Sequence, residues 1–243
     1  MSVNQTSKWL TVCLYYNEPW EKLLTQAVKP YLDAINQSGI IQSYFFIRYW
    51  DRGPHIRLRL FPASADYDDM LRQNIEEHFG TYLETWPSRR TEPNYPADFP
   101  DDFRWLPNNT VQFIDYLPET ERYGGISGVH LAEDQFHLSS STVLKLLHDR
   151  AGSWTYADAM GSAIQLHLSF AFAMGLDQEN CIRFFRFFYQ NWIVHSLRHV
   201  NKKSSDDLLQ QHYEDTLQHF ALGFEQQQSD LLPVHRQLWK ALT

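Results

Sequence analysis

The sequence is short of cysteine, of net positive charge and of long apolar runs, and each shortage excludes a class of protein. Its two cysteines, Cys13 and Cys181, lie far apart inside apolar runs. They read as buried free thiols rather than a disulfide framework. Formal net charge is −8, from 21 Lys and Arg against 29 Asp and Glu. That balance argues against direct binding of nucleic acid, which calls for a basic total or a basic patch. No stretch approaches the roughly 18–20 uninterrupted apolar residues of a membrane span. The longest candidate, Ile182 to Val194, is broken by Arg183 and Arg186. Met1 to Lys8 is polar and lacks the apolar core of a signal peptide, so the expected location is the cytoplasm.

Metal-binding and nucleotide-binding signatures are also missing. His195 and His199 have the four-residue spacing of a ligand pair, but Ser196 stands where a zinc protease carries Glu. With no clustered third ligand they read as capping or core residues, and no metal site is expected. Nucleophile elbows, Gly-rich phosphate loops and paired Cys motifs are absent.

What the chain does have is aromatic mass. Sixteen Phe, thirteen Tyr and eight Trp make 15% of 243 residues, enough to build a core and to need polar partners for many rings. Trp9 to Tyr16 reads as a strand. Glu18 and Pro19 open a helix that carries Trp20, Leu23, Leu24, Ala27, Val28, Tyr31, Leu32 and Ile35 at helical spacing and stops at Gly39, with Pro30 expected to kink or split it. Ser43 to Trp50 and His55 to Phe61 read as a hairpin around Asp51-Arg52-Gly53-Pro54. A helix from about Tyr67 to Trp86 would bury Met70, Ile75, Phe79 and Leu83. Between positions 87 and 109 five prolines forbid any regular element. This loop should cross the surface, anchored by Phe99, Phe103 and Trp105. Val111 to Tyr116 is a further short strand, and Tyr123-Gly124-Gly125 marks a tight turn. From Val129 the pattern is helical. Met160, Ile164, Leu168 and Ala171 form one face, Ile182 to Val194 a buried central helix, and Asp206 to Phe224 and Leu231 to Leu242 amphipathic closers. Strands first and helices afterwards predict an α+β fold. A mostly antiparallel N-terminal sheet with a hairpin precedes a C-terminal helical bundle packed on it, in one domain spanning 1–243.

The strand 55–61 carries the chemistry. Ile56, Leu58 and Leu60 alternate with His55, Arg57 and Arg59, which puts the basic side chains on one face at spacings of roughly 7 Å. Arg48 on the neighbouring strand joins them if the register allows. Cationic groups so close repel one another unless an anion lies between them. Arginine suits a carboxylate or phosphate through paired donors, so an anion pocket is one reading. A solvent-facing strand with loosely paired arginines fits the same pattern. Glu121-Arg122-Tyr123-Gly124-Gly125 is a second candidate, with Arg122 and Tyr123 beside a turn that lets a ligand approach closely. An ordinary loop turn fits it equally.

In order and spacing these pieces resemble a known family. Phe45-Phe46-Ile47-Arg48-Tyr49, leading through a Gly-Pro turn into His55-Ile56-Arg57-Leu58-Arg59-Leu60, is similar to the hairpin of the C-terminal domain of class I lanthipeptide dehydratases. The same domain stands alone in thiopeptide-type bacteriocin biosynthesis proteins. Glu121 to Gly125, and Ala132-Glu133 with Phe136 and Ser139-Ser140, resemble the segments that follow. The proline-rich loop looks like an insertion.

The resemblance implies elimination of glutamate from glutamylated Ser or Thr of a precursor peptide, leaving dehydroamino acids. It assigns catalysis to Arg57, Arg59 and Arg122, and substrate binding to Arg48, His55 and Tyr123. No cofactor is implied. The implied partners are the precursor peptide and a separate glutamylating dehydratase subunit, with a homodimer also compatible. The family's late His-Met-x-x-Asn-Arg motif does not occur here: Ser196 to Val200 echoes it too early, and His235 has other neighbours. That departure favours a non-catalytic peptide-binding partner of a split dehydratase as an alternative, and a thiopeptide-type cycloaddition enzyme on the same scaffold is another.

Overall fold

A computed structural model describes residues 9–150 and 152–188. Asp206 to Phe224, Leu231 to Leu242, His195, His199 and His235 lie outside the described residues. The chain forms two compact units, divided after Ser153.

The first unit is a four-stranded sheet of order β2-β3-β1-β4, with every neighbouring pair antiparallel. Its strands are β1 (Leu10–Tyr15), β2 (Ile41–Tyr49), β3 (His55–Pro62) and β4 (Thr110–Ile114). The hairpin of β2 and β3 forms where the sequence predicts it. Leu10, Val12 and Leu14 of β1 share a face with Ile56, Leu58 and Leu60 of β3, and all six are buried. This face meets two helical segments. The first comprises α1 (Glu21–Leu23), a π-helical stretch (Leu24–Val28) and α2 (Lys29–Gln37). The second is α3 (Asp68–Thr85), which buries Leu71, Ile75, Phe79 and Leu83. Leu71 rather than Met70 fills the first of these positions, because 71, 75, 79 and 83 keep a strict four-residue step down one helix face.

The disturbance expected at Pro30 takes a defined form. A proline ring clashes with the carbonyl four residues back and offers no N–H. The backbone widens just ahead of it, and the Lys29 N–H donates to Leu24 O, five residues back.

Helix α4 (Ile126–Asp149) protects the sheet edge. Among the described residues no strand lies beyond β2, so its outward backbone groups need other partners. Ser140 Oγ accepts from Phe46 N at 3.0 Å. His137 Nδ1 lies 2.8 Å from Tyr44 O and 3.4 Å from Tyr44 N, so the ring meets this backbone pair in either tautomer. Phe136, on the same helix, packs on Phe45 at 5.2 Å between ring centroids.

The segment 87–109 is irregular, as its prolines require, apart from a 3-10 turn at Asp101–Phe103. It is nevertheless tied down. Ser88 bonds both Asn108 and Asn109, and Leu106 N donates to Arg52 O in the hairpin turn at 2.8 Å. Tyr95 stacks on Phe99 and Trp105 packs on Gly53, whereas Phe103 is 67% exposed and anchors nothing.

The second unit contains α5 (Tyr156–Ala173) and α6 (Gln178–Phe188). Thr155 and Asp158 cap α5 reciprocally. Leu168, Ala171 and Cys181 form its buried cluster, with Ile164 and Phe185 packed against it. Met160 is 42% exposed and does not extend that face. The described part of the expected central helix is two-sided: Cys181 is buried while Phe184, Phe187 and Phe188 are exposed. Cys181 and Phe185 fall one turn apart, so only one stripe of α6 meets α5. Both cysteines are free and buried, as the sequence predicts.

Two substitutions test this packing. A Cβ at Gly128, near the start of α4, would lie 1.7 Å from Tyr123 O. Gly128→Ala should therefore destabilise by about 3 kcal/mol, the upper end of overpacking costs, read as a lower urea midpoint. Ser140→Ala leaves the Phe46 N–H without its partner and should lose about 1–3 kcal/mol in the same measurement.

Candidate functional site: an arginine face on the sheet

The register decides which side chains meet. In β3, His55, Arg57 and Arg59 stand opposite Tyr15, Cys13 and Thr11 of β1 and opposite Tyr49, Ile47 and Phe45 of β2. These residues share the face turned away from α1–α3, since side chains directly opposite in antiparallel strands point the same way. Arg48 is paired with Ile56 and so belongs to the other face, where its guanidinium lies 5.7 Å from the Trp20 ring centroid. It does not join the cluster. An odd offset in sequence alternation puts it through the sheet.

Arg57 and Arg59 are held by rings and backbone geometry, not by acids. Arg57 lies over Tyr49 at 4.1 Å, and Arg59 over Tyr116 at 4.6 Å and Phe45 at 5.1 Å. Such stacking costs a guanidinium little and leaves its edge donors free. Among the described residues neither arginine has a carboxylate at ion-pair distance. The buried Nε atoms of both, and Thr11 Oγ1 between the strands, have no hydrogen-bond partner. Burial lowers the pKa of Arg59 from its ordinary value, and the Arg57 charge adds to this, while Tyr116 and Glu119 oppose it. Buried polar groups are normally satisfied, so these three unpaired atoms, gathered on a single face, set it apart from the rest of the sheet.

His55 is wholly buried. Its ring lies 4.6 Å from Tyr15 and 5.7 Å from Tyr49. Nδ1 is 2.9 Å from Gly53 O and therefore carries the proton, so Nε2 is left as an acceptor for Arg57 Nη2 at 3.5 Å. Burial, chiefly, pushes the His55 pKa below the usual histidine value. The contact of His55 is with Arg57. Cys13 is buried beside Arg57; burial raises its pKa, and the arginines only partly counter this.

The turn at 119–125 borders the same face. Tyr116, two residues beyond the end of β4, covers Arg59 and donates from its hydroxyl to Glu133 of α4 at 2.7 Å. Desolvation, and then the Glu133 carboxylate, raise its pKa strongly. Phe136 connects Phe45 to Tyr123, at ring distances of 5.2 and 5.7 Å. Arg122 is exposed, pairs with Glu119 at 3.1 Å and lies 5.9 Å from the Tyr123 ring. Glu119 thus pairs with Arg122 and acts electrostatically on Arg59. Gly124 and Gly125 both have positive φ, 77° and 100°, which lets the chain reverse into α4.

Several of these residues carry no motif in the sequence. Thr11 and Cys13 were legible as alternate positions of β1. The strand expected over Val111 to Tyr116 ends at Ile114, which leaves Tyr116 beyond it. Ile114 pairs with Thr11, which pairs with Arg59, so alternation two residues on keeps Tyr116 on the Arg59 side. Among the described residues no group of three His, Cys, Asp or Glu side chains could hold a metal ion, and no helix is long and apolar enough to cross a membrane.

Comparison with known proteins agrees with this architecture. No curated protein sequence matches the chain. A pyridine synthase from thiomuracin biosynthesis, TbtD, shares the fold with a TM-score of 0.66 at 20% identity, covering 90% of this chain and 69% of that one. The tRNA-dependent lantibiotic dehydratase MibB from Microbispora sp. 107891 gives a TM-score of 0.51 at 22% identity, covering 71% of this chain and 15% of its own length. At these identities the likeness speaks for fold alone. The model of the family described as lantibiotic biosynthesis dehydratase C-term matches residues 9–242, and the chain belongs to that family.

Proposed function

We propose that the chain is an elimination subunit that removes glutamate from glutamylated Ser or Thr residues of a precursor peptide. Family membership supports a role in the biosynthesis of lantibiotic-type modified peptides. The observation that carries the finer reading is the pair of guanidiniums, Arg57 and Arg59, stacked on rings on one sheet face with no carboxylate at ion-pair distance among the described residues. The substrate side chain bears a glutamyl ester, whose free carboxylate is the anion such a face accepts.

In the reaction a base takes the Cα proton, the Cα electron pair forms the Cα=Cβ bond, and the Cβ–O bond breaks with release of glutamate as a carboxylate. Negative charge develops first on the carbonyl oxygen next to Cα and then on the departing carboxylate. Arg57 and Arg59, pre-aimed and half out of water, stabilise both better than water does. Arg122, which pairs with Glu119, exchanges that partner for the substrate's carboxylate in this reading. Tyr123 flanks it, and His55 acts by holding Arg57. The peptide comes from a separate glutamylating partner in this reading.

A second reading is cycloaddition of dehydroamino acids, favoured by the fold shared with the pyridine synthase. The arginines would then grip carboxylates of the peptide. Incubating the protein with a glutamylated precursor peptide and measuring mass separates the readings. Loss of one glutamic acid per modified residue is expected. A macrocycle formed from a dehydrated peptide, or binding with no change of mass, would replace the elimination reading.

Within it, Arg57→Ala and Arg122→Ala should each lower turnover by about 100-fold or more, while the urea midpoint moves little for exposed Arg122. Arg57→Lys keeps the charge but loses the planar fork, and should recover only a small part of the activity. Full activity in both alanine variants would remove the arginine face from the mechanism.

A further inference from the structure

The proline-rich segment, which resembles an insertion without a role, makes a continuous set of contacts that ends on Arg57. Its Trp105 ring lies over Gly53: a Cβ there would be 3.4 Å from the indole Cγ and 2.9 Å from Arg90 Nη1. Arg90 itself lies 5.0 Å from the Trp105 ring centroid and donates from Nη2 to Leu106 O at 2.8 Å. Leu106 N returns to Arg52 O, also at 2.8 Å, and Arg52 reaches Arg104 O and Asp101 O at 3.3 Å. The bare backbone of Gly53, at φ 107°, is therefore clasped from outside by this segment. On its inner side the same residue's carbonyl receives the His55 Nδ1 proton at 2.9 Å, and His55 Nε2 accepts from Arg57 Nη2.

We propose that residues 87–109 are a brace that sets the aim of Arg57 through Gly53 and His55, and that Trp105 and His55 are positioning residues of the arginine face. The physical reason is the hinge-like character of the hairpin turn. Arg52, a non-glycine residue, adopts a positive φ of 57°, a conformation that persists where surrounding contacts hold it. The carbonyl direction of Gly53 fixes the tautomer of His55. That tautomer alone leaves Nε2 as an acceptor for a guanidinium. The groups facing His55 are Tyr15 from β1, Tyr49 from β2, Asp51 in the turn and Arg57 on its own strand. Among them Arg57 disfavours a protonated ring, and Asp51 opposes it more weakly.

The kinetic arm of the test rests on the elimination reading, and the spectroscopic arm does not. Nitrogen-15 spectra of histidine-labelled protein, with His55 assigned by its loss in His55→Gln, should show one fixed Nδ1–H tautomer. That ring should stay neutral as pH falls through about 6.5, where free histidine titrates. In Trp105→Ala the His55 signals should become averaged and titrate closer to the ordinary value. Arg90→Gln, a smaller change to the same clasp, should shift them in the same direction if Trp105→Ala does not fold. With a glutamylated peptide, Trp105→Ala and His55→Ala should lower kcat by between about tenfold and 100-fold with little change in KM. His55→Gln, whose amide oxygen can replace Nε2 as acceptor, should recover part of that loss. An unchanged His55 tautomer and titration in both loop variants would overturn the brace. Spectra that respond as expected in a protein without turnover would support the brace and overturn the elimination reading alone.

Discussion

Two guanidinium groups stand side by side on one strand, partly withdrawn from water, and among the described residues no carboxylate lies at ion-pair distance from either. Most of the first unit can be understood as the means of holding them so. Left alone, the pair would separate or collect acids, because their repulsion grows as water is removed. It is kept in place by aromatic faces: Tyr49 under Arg57, and Tyr116 with Phe45 under Arg59. These rings supply favourable contact without consuming the hydrogen-bonding edges. The donors left over define the character of the site as a receiver of anions.

The opposite sheet face supplies the rigidity this requires. Leu10, Val12, Leu14, Ile56, Leu58 and Leu60 are all 4% exposed or less; at about 1.5–3 kcal/mol for each fully buried large aliphatic side chain, a slip of register by one residue would forfeit them all. The same burial that holds the core in register therefore fixes the arginines on their face. Helix α4 closes the outer edge of β2 through Ser140 and His137, and its Phe136 and Glu133 support Phe45 and Tyr116. One helix thus serves both as the edge cover and as the back wall beneath Arg59 and Tyr123.

Much of this was legible in the residues themselves. The strict alternation of positions 55–60 gave a strand with basic and apolar faces. The Asp51–Pro54 composition gave its turn, and the paired glycines 124 and 125 gave the reversal before α4. Pattern could not say on which face Arg48 would fall, since that depends on pairing across strands, nor that Met70 and Phe103 would be left aside by the packing. His55 looked equivalent to its neighbours Arg57 and Arg59. Its complete burial comes from Tyr15, Tyr49 and the turn closing over it, and no local rule contains those contacts.

The sequence by itself determined the class of fold, the arginine-bearing strand and the family, because alternation, turn chemistry and motif order are properties of neighbouring residues. Tertiary structure alone decided which charges meet, which ring supports which guanidinium, and that a proline-rich segment grips the turn behind the site. Those outcomes depend on register and on approaches between residues some 50 positions apart, as in Arg52 with Arg104 and Gly53 with Trp105. Such distances along the chain leave no periodic trace in it.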